Sequence, residues 1–484
     1  MAETTTVQST GTLPAPARSP FLLRHWLFTL ALVAGLAIRV LTQIAYRPGL
    51  ELFGDSYAYL HAAQIMKPDT WHPFGYSLFL KVFSITGRLW TVVVAQHLLG
   101  LAMAVALYAL MIRWGTRPWV AALGTLPVLL DGYQLDSEHF VLSETLVEVL
   151  LVAGLVVLAW RGRPQALDGG LAGVLLAGAC LTRSAALPLL AVAVLYLLLR
   201  LRWRAAIACV VCAAIPLVGY AAWFNSQYGT FGMQRFSGIF LYGRVAPIAV
   251  CDYPVPADEK RLCETSDPAT RQGAEFYVWR AKSPLRQLRI SDNDELDRIG
   301  RSFAKRVILH QPVDYARIVL RDTFHYFKPG RPSGSDDPYE IRWRFPGRGP
   351  HPDLYHVQVA NAGFPGEATH PHTSWPVAKV VRAYQKVVYT QGPILLVALI
   401  GAAFAGLALF GRRVGDRQLR WIAAVFGATG LLLALGPSLT TGFSYRYGIP
   451  LIVTLPPAGA VALEVGLRAL AARRVSSGPE APRP

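Results

Sequence analysis

Roughly ten apolar runs, most of them long enough to cross a hydrocarbon core of roughly 30 Å, decide what this chain can fold into. They fall at 26–46, 91–112, 118–131, 139–160, 170–182, 184–200, 204–224, 393–411, 420–437 and 447–468. With 53% of residues hydrophobic and only 16% charged, a water-soluble fold has too little polar surface to clothe them. The expectation is an all-α polytopic membrane protein of about ten transmembrane helices. The runs at 118–131 and 170–182 are shorter than the roughly 20 residues a span needs, so they are expected to be broken or re-entrant segments among their neighbours. The first run lacks a small-residue cleavage site and is expected to stay as an anchor.

The formal charge is +17, but it lies in short clusters beside the apolar runs instead of in one stripe. That is an orientation signal and argues against nucleic-acid binding. Placing the start inside puts Arg18 and Arg24, Arg113 and Arg117, Arg161 and Arg163, Arg200, Arg202 and Arg204, Arg412, Arg413, Arg417 and Arg420, and Arg473 and Arg474 on the cytoplasmic side. Both termini are then cytoplasmic. Arginine outnumbers lysine 39 to 8, and with abundant Ala, Gly, Leu, Val and Pro this reads as the composition of a GC-rich bacterium, placing the chain in its inner membrane.

This topology divides the chain into a disordered cytoplasmic tail at 1–20, an N-terminal membrane module at 21–226, an extracytoplasmic region at 227–392 of mixed structure, C-terminal membrane helices at 393–470, and a second disordered tail at 471–484. A further outer loop lies at 47–90. In the extracytoplasmic region, Asn293 precedes a helical pattern through Leu296, Ile299, Phe303 and Val307, and Pro312 opens another. Residues 329–376 read as a long loop that either lines a site or moves. Cys251 and Cys263, with eleven residues between them, are expected to pair in an oxidising compartment, the alternative being two free thiols. Cys180, Cys209 and Cys212 fall inside apolar runs and read as small core residues.

Chemistry is expected in the outer segments. The first outer loop contains Phe53-Gly54-Asp55-Ser56-Tyr57-Ala58-Tyr59, then Trp71-His72-Pro73-Phe74-Gly75-Tyr76. If a helix begins at Asp55, the residue caps it; the same carboxylate, partly desolvated near the bilayer interface, can accept a proton from an attacking hydroxyl.

The order of a first span, a G-D-x-Y stretch and a [KH]-P-x-G-Y run resembles bacterial membrane glycosyltransferases of the GT-C fold, whose members include the protein O-mannosyltransferases and the lipid A aminoarabinose transferase. The resemblance implies that Asp55 is the catalytic base or substrate-positioning carboxylate, and that His72, with Tyr57 nearby, helps hold a lipid phosphate. The chain departs from the family's usual lysine at His72, whose charge at neutral pH depends on its surroundings. It also lacks the second adjacent acid, leaving Asp69 as the one later carboxylate before the second span; a two-carboxylate metal site is not expected.

Weaker correspondences follow in order along nearly the whole chain. Leu142-Ser143-Glu144-Thr145 follows an outer turn with Asp131, Asp136, Glu138 and His139; Glu144 is either a substrate-site acid or a buried, hydrogen-bonded structural one. Thr182-Arg183-Ser184 resembles a T-R-P element, and its guanidinium suits a phosphate or Glu144. Tyr445-Arg446-Tyr447-Gly448-Ile449-Pro450 resembles an R-Y-x-x-P element in which Arg446 and Tyr447 face the cavity and Arg446 neutralises the carrier phosphate; interfacial anchoring is the competing reading. His351, His356, His370 and His372 lack a zinc-type array, so no metal site is assigned; no cofactor is required, and dependence on a divalent metal stays open.

Together these imply transfer of a sugar from a polyprenyl-phosphate donor, with inversion, to a glycan, lipid or protein acceptor of the cell envelope. The rivals are a lipid or sugar transporter or flippase, and a non-catalytic subunit of the same fold. Transporters commonly place polar residues near the bilayer midplane, whereas the charges here gather at the outer ends of spans.

Overall fold

The computed structural model describes residues 21–51, 54–331, 343–347, 363–365, 372–408 and 416–476. Both expected tails lie largely outside these residues, as do His351, His356 and His370. In chain order the helices are α1 (Trp26–Ala45), α2 (Asp55–Ile65), α3 (Gly75–Ser84), α4 (Trp90–Arg113), α5 (Pro118–Leu130), α6 (Gly132–His139), α7 (Glu144–Trp160), α8 (Ala166–Thr182), α9 (Leu187–Leu199), α10 (Trp203–Tyr228), α11 (Ser237–Val245), α12 (Ala274–Trp279), α13 (Asn293–His310), α14 (Pro312–His325), α15 (Trp375–Val387), α16 (Gly392–Leu407), α17 (Arg417–Thr440) and α18 (Leu455–Ser476), with short turns between.

All ten expected apolar runs are helical, but fewer qualify as spans. Among the described residues, five helices are long and apolar enough to cross a membrane, or up to six if the bent pair of α15 and α16 is one span. The rest are shorter, including Pro118–Leu130, Ala166–Thr182 and Ser184–Leu199. The long helices bury one stripe and expose another: on α1, Leu30, Val33, Leu36 and Val40 are about half exposed while Phe28, Ala31, Gly35 and Ile38 are buried. Such apolar exposure is untenable in water and natural against lipid.

One expectation is corrected. The outer turn around Asp131 to His139 is instead α6, every residue of which is buried. Of its charges, Glu138 is tolerated because it is paired with Arg39 and lies 3.0 Å from His97. Arg39, on α1, uses its five N–H donors on Glu138 Oε1 and Oε2 and on the carbonyls of Gly35, Val128 and Leu129. Two of those carbonyls are unsatisfied groups at the end of α5. In the 227–392 region, expected to be mixed, the described residues form helices joined by irregular segments, with one two-residue strand, β2 (His372–Thr373), antiparallel to β1 (Tyr46–Arg47).

Helices α11, α12 and α13 form a compact outer core around Tyr242, Tyr277, Leu285 and Phe303. α13 opens on Asp292, whose carboxylate accepts from the Asp294 amide at 2.9 Å. Cys251 and Cys263 form a disulfide beside this core. Cys180 and Cys209 are buried and Cys212 is partly so. The outer core is joined to the first outer loop by Trp71, whose ring lies 4.5 Å from that of Phe236, 5.2 Å from Trp279 and 5.8 Å from Phe240. One backbone bond, from the Arg235 amide to the Thr70 carbonyl at 2.7 Å, reinforces the join.

Candidate active site

Two glycines set the geometry of the first outer loop. Gly54 precedes α2 with φ of 89°, a conformation open to glycine and strained for other residues. Gly75 opens α3 so tightly against the end of α8 that an added Cβ would stand 2.6 Å from the Leu181 carbonyl oxygen. The G-D and P-x-G-Y stretches are therefore a turn and a close approach, and they bring Asp55 and His72 to the place where α7 begins and α8 ends.

Asp55 is the first residue of α2, and the cap position is Gly54 without a side-chain hydrogen bond. The N-cap is therefore Gly54 and not Asp55, whose carboxylate is instead held by two cations. Arg446 donates to its Oδ2, and His72 Nε2 lies 3.7 Å from its Oδ1. His72 is held from behind by Asp69, whose Oδ2 lies 2.9 Å from Nδ1 and also accepts from the His72 amide at 3.0 Å and the Trp71 amide at 3.1 Å.

Arg446, from the short helical turn Tyr445–Leu451, also donates through Nε to Glu144 Oε1, and Arg183 donates to the same oxygen. Glu144 opens α7, where a helix N-terminus favours a carboxylate. Its Oε2 is buried without a hydrogen-bond partner among the described residues. The guanidinium of Arg183 lies 5.1 Å from the centroid of the Tyr447 ring, and that of Arg446 lies 5.6 Å from Trp343. Trp343 belongs to the 329–376 loop; the described parts of that loop pack inward, with Trp343, Phe345 and Phe364 all buried.

The cluster is thus three carboxylates (Asp55, Asp69, Glu144) interleaved with three cations (His72, Arg183, Arg446). Access is graded: the side chains of Glu144 and Arg446 are 3% and 9% exposed, those of Asp55, His72 and Arg183 28%, 24% and 25%. Glu144 and Arg446 thus form the buried side of the cluster, and Asp55, His72 and Arg183 its accessible side. Burial works against charge on Asp55, but Arg446 and His72 outweigh it and hold the carboxyl far below its ordinary range. Burial likewise opposes charge on His72, and the flanking Asp55 and Asp69 overcome it, raising the imidazole to about 9. His72 is therefore held as a cation at neutral pH by its two flanking acids.

Tyr57 does not join the cluster through its hydroxyl, which donates to Glu51 at 2.6 Å. Two residues along a helix turn the side chain by about 200°, whereas four return it to the same face. Tyr59 accordingly takes the place expected of Tyr57: its ring lies 4.8 Å from that of His72 and its hydroxyl donates to Ser143 at 3.1 Å. The i, i+4 spacing from Asp55 was the signal for it. Asp69, weighed only as a metal ligand, was signalled by the turn it forms ahead of Pro73. Burial raises the Glu51 carboxyl, against the Tyr57 hydrogen bond. Among the described residues no group of three or more His, Cys, Asp or Glu side chains is disposed to hold a metal ion.

No protein-family model and no curated protein sequence matches the chain. It is similar to the crystal structures of ArnT from Cupriavidus metallidurans, bound to undecaprenyl phosphate and in the apo state, at 14% identity over 94% of this chain and 81% of that one, with a TM-score of 0.35. It is also similar to the oligosaccharyltransferase of Archaeoglobus fulgidus tethered to an acceptor peptide, at 12% identity over 95% of this chain and 51% of that one, with a TM-score of 0.39. With TM-scores below 0.5 these are similarities only, and what the site can do follows from its own groups.

Proposed function

We propose that the chain is a lipid-carrier-dependent glycosyltransferase that moves a sugar from a polyprenyl-phosphate donor to a cell-envelope glycan, lipid or protein on the extracytoplasmic side of a bacterial inner membrane. In this reading the ten apolar helices all lie in the membrane, both termini are cytoplasmic, and the 47–90 loop and 227–392 region face outward. The observation that carries it is the grip of Arg446 on Asp55 and Glu144, with His72 on the other side of Asp55.

The charges explain how such a site would work. The cluster has no net charge when its acids and bases are ionised. A polyprenyl-phosphate sugar is a phosphodiester with one negative charge; when its sugar–oxygen bond breaks, the departing phosphate monoester gains a second. Arg446, Arg183 and His72 are fixed cations at the place where that charge develops, and stabilising it lowers the barrier. In the empty site, Asp55 occupies the cations that the phosphate would take. Phosphate arrival re-pairs them and frees the Asp55 oxygens to accept a hydrogen bond from the acceptor hydroxyl. The acceptor oxygen then bonds to the anomeric carbon as the phosphate leaves from the opposite face, giving inversion, and the hydroxyl proton passes to Asp55 and on to solvent. Because Asp55 is so acidic while paired, its task before phosphate binds is to hold the cations, and it becomes an effective base only after they are drawn away.

The test is transfer from a panel of radiolabelled polyprenyl-phosphate sugars in membranes containing either wild-type protein or Asp55→Asn. Label reaching an acceptor with wild type alone supports the reading and names the donor; equal counts in both would overturn it and favour transport or a non-catalytic role.

A further inference from the structure

The ends of α7 and α8 remote from Glu144 and Arg183 carry a second cationic feature that the proposed reaction does not use. The 17 residues of α7 rise about 25 Å, so the two features lie at opposite faces of the helical layer. Between the turn after α7 and the turn before α10 is an open groove of ≈ 650 Å³. Arg163, Arg202 and Arg204 line it together with Leu167, Leu201 and Trp203.

Charge, backbone and apolar surface converge here. The neighbouring acid, Asp168, is already engaged: it accepts from the Gln165 amide at 2.8 Å and lies 3.6 Å from Arg161. No carboxylate among the described residues pairs with Arg163, Arg202 or Arg204. Helices α8 and α10 both start at the groove, side by side. Glycines let them touch: a Cβ on Gly169 would stand 2.1 Å from the Ala205 carbonyl oxygen, and one on Gly173 2.3 Å from that of Cys209. The matched order of these contacts makes the two helices parallel, so their positive ends add to the arginines. Leu167, Leu201 and Trp203 are 75%, 85% and 59% exposed, which suits acyl chains and not water.

We propose that this groove binds the phosphate of an anionic phospholipid in the leaflet opposite the Asp55 cluster, the arginines holding the headgroup and the three apolar side chains lying along its tails. Arginines serving only to orient the chain need not converge on a cavity. Free phosphate shares the headgroup chemistry but leaves the apolar side chains without a partner.

The experiment uses the purified full-length protein in detergent, titrated with phosphatidylglycerol or phosphatidylcholine and followed by native mass spectrometry. Phosphatidylglycerol is expected to bind on the order of tenfold to a hundredfold tighter, a preference lost in the triple variant Arg163→Gln, Arg202→Gln, Arg204→Gln. Inorganic phosphate at equal concentration should leave the retained lipid in place. Equal retention of the two lipids, undiminished preference in the triple variant, or displacement by inorganic phosphate would each overturn the proposal. Should the triple variant fail to fold, the wild-type melting temperature decides: it should rise with phosphatidylglycerol and not with phosphatidylcholine or phosphate, and a rise common to all three, or with none, sinks the idea.

Discussion

Arg446 donates a hydrogen bond to Asp55 across 391 positions of sequence, joining the turn ahead of the last helix to the first residue after the first outer turn. Replacing Asp55 by Asn keeps the shape and removes the charge that both Arg446 and His72 face. The variant is expected to fold and to lose transfer by about 10²–10⁴-fold, measured as initial rate with a saturating donor alongside a melting curve. A folded variant with near wild-type rate would remove Asp55 from the chemistry.

Arg446→Ala should cost stability as well as activity. It leaves Glu144 buried with Arg183 as its remaining cation, and removing one partner of a buried ion pair costs about 3–5 kcal/mol. Arg446→Ala combined with Glu144→Gln should recover much of that loss without restoring transfer, because the cluster is neutral again while the phosphate has still lost its ligand. Equal melting temperatures for the single and double variants would show that Glu144 does not depend on Arg446.

The pH dependence follows from His72. Its pKa is raised from 6.5 to about 9, so the stability it contributes is complete below about pH 6.5 and is lost as pH rises through 9. Activity should share that basic limb if the imidazolium holds phosphate. Asp69→Asn removes one of the two acids responsible, and the limb of kcat/KM should move toward neutral pH with little change in the acidic range. A uniformly lowered profile with an unmoved limb would reduce Asp69 to a structural turn.

Gly75→Ala places a methyl group 2.6 Å from the Leu181 carbonyl oxygen, and backbone cannot yield as a flexible side chain can. The expected result is destabilisation by about 1–3 kcal/mol and a larger fall in transfer, since His72 sits on the displaced segment. Unchanged melting and rate would mean that α3 and α8 tolerate a wider gap.

Much of the candidate site was legible because ionisable residues at the ends of apolar runs stand out: Asp55, Glu144, Arg183 and Arg446 come from four distant segments, and the structure brings them into one cluster. Their pairings were not legible, being set by contacts between elements hundreds of residues apart. The G-D-x-Y resemblance points to Tyr57, whereas the helical period places Tyr59 on the face of Asp55. The same limit hid the role of Arg39: it interrupts the first apolar run in plain view, but Glu138, its partner, read as part of an outer turn. Helix positions were clear from hydropathy, whereas the number that cross was not, since several apolar helices are shorter than a full span.

Trp71 and His72 are consecutive residues, one seated in an aromatic slot of the outer core and the other beside Asp55. This joint has an evolutionary consequence. The exposed face of the outer region can be remodelled by drift, insertion or selection for a new acceptor without disturbing the ions beneath, provided the slot for Trp71 survives. Lineages that lose an aromatic at Phe236, Phe240 or Trp279 would shift the ring and, through a single peptide link, the imidazole. Tolerance to mutation should therefore fall steeply from the outer rim toward this slot, making it the narrowest passage through which such a protein can diversify.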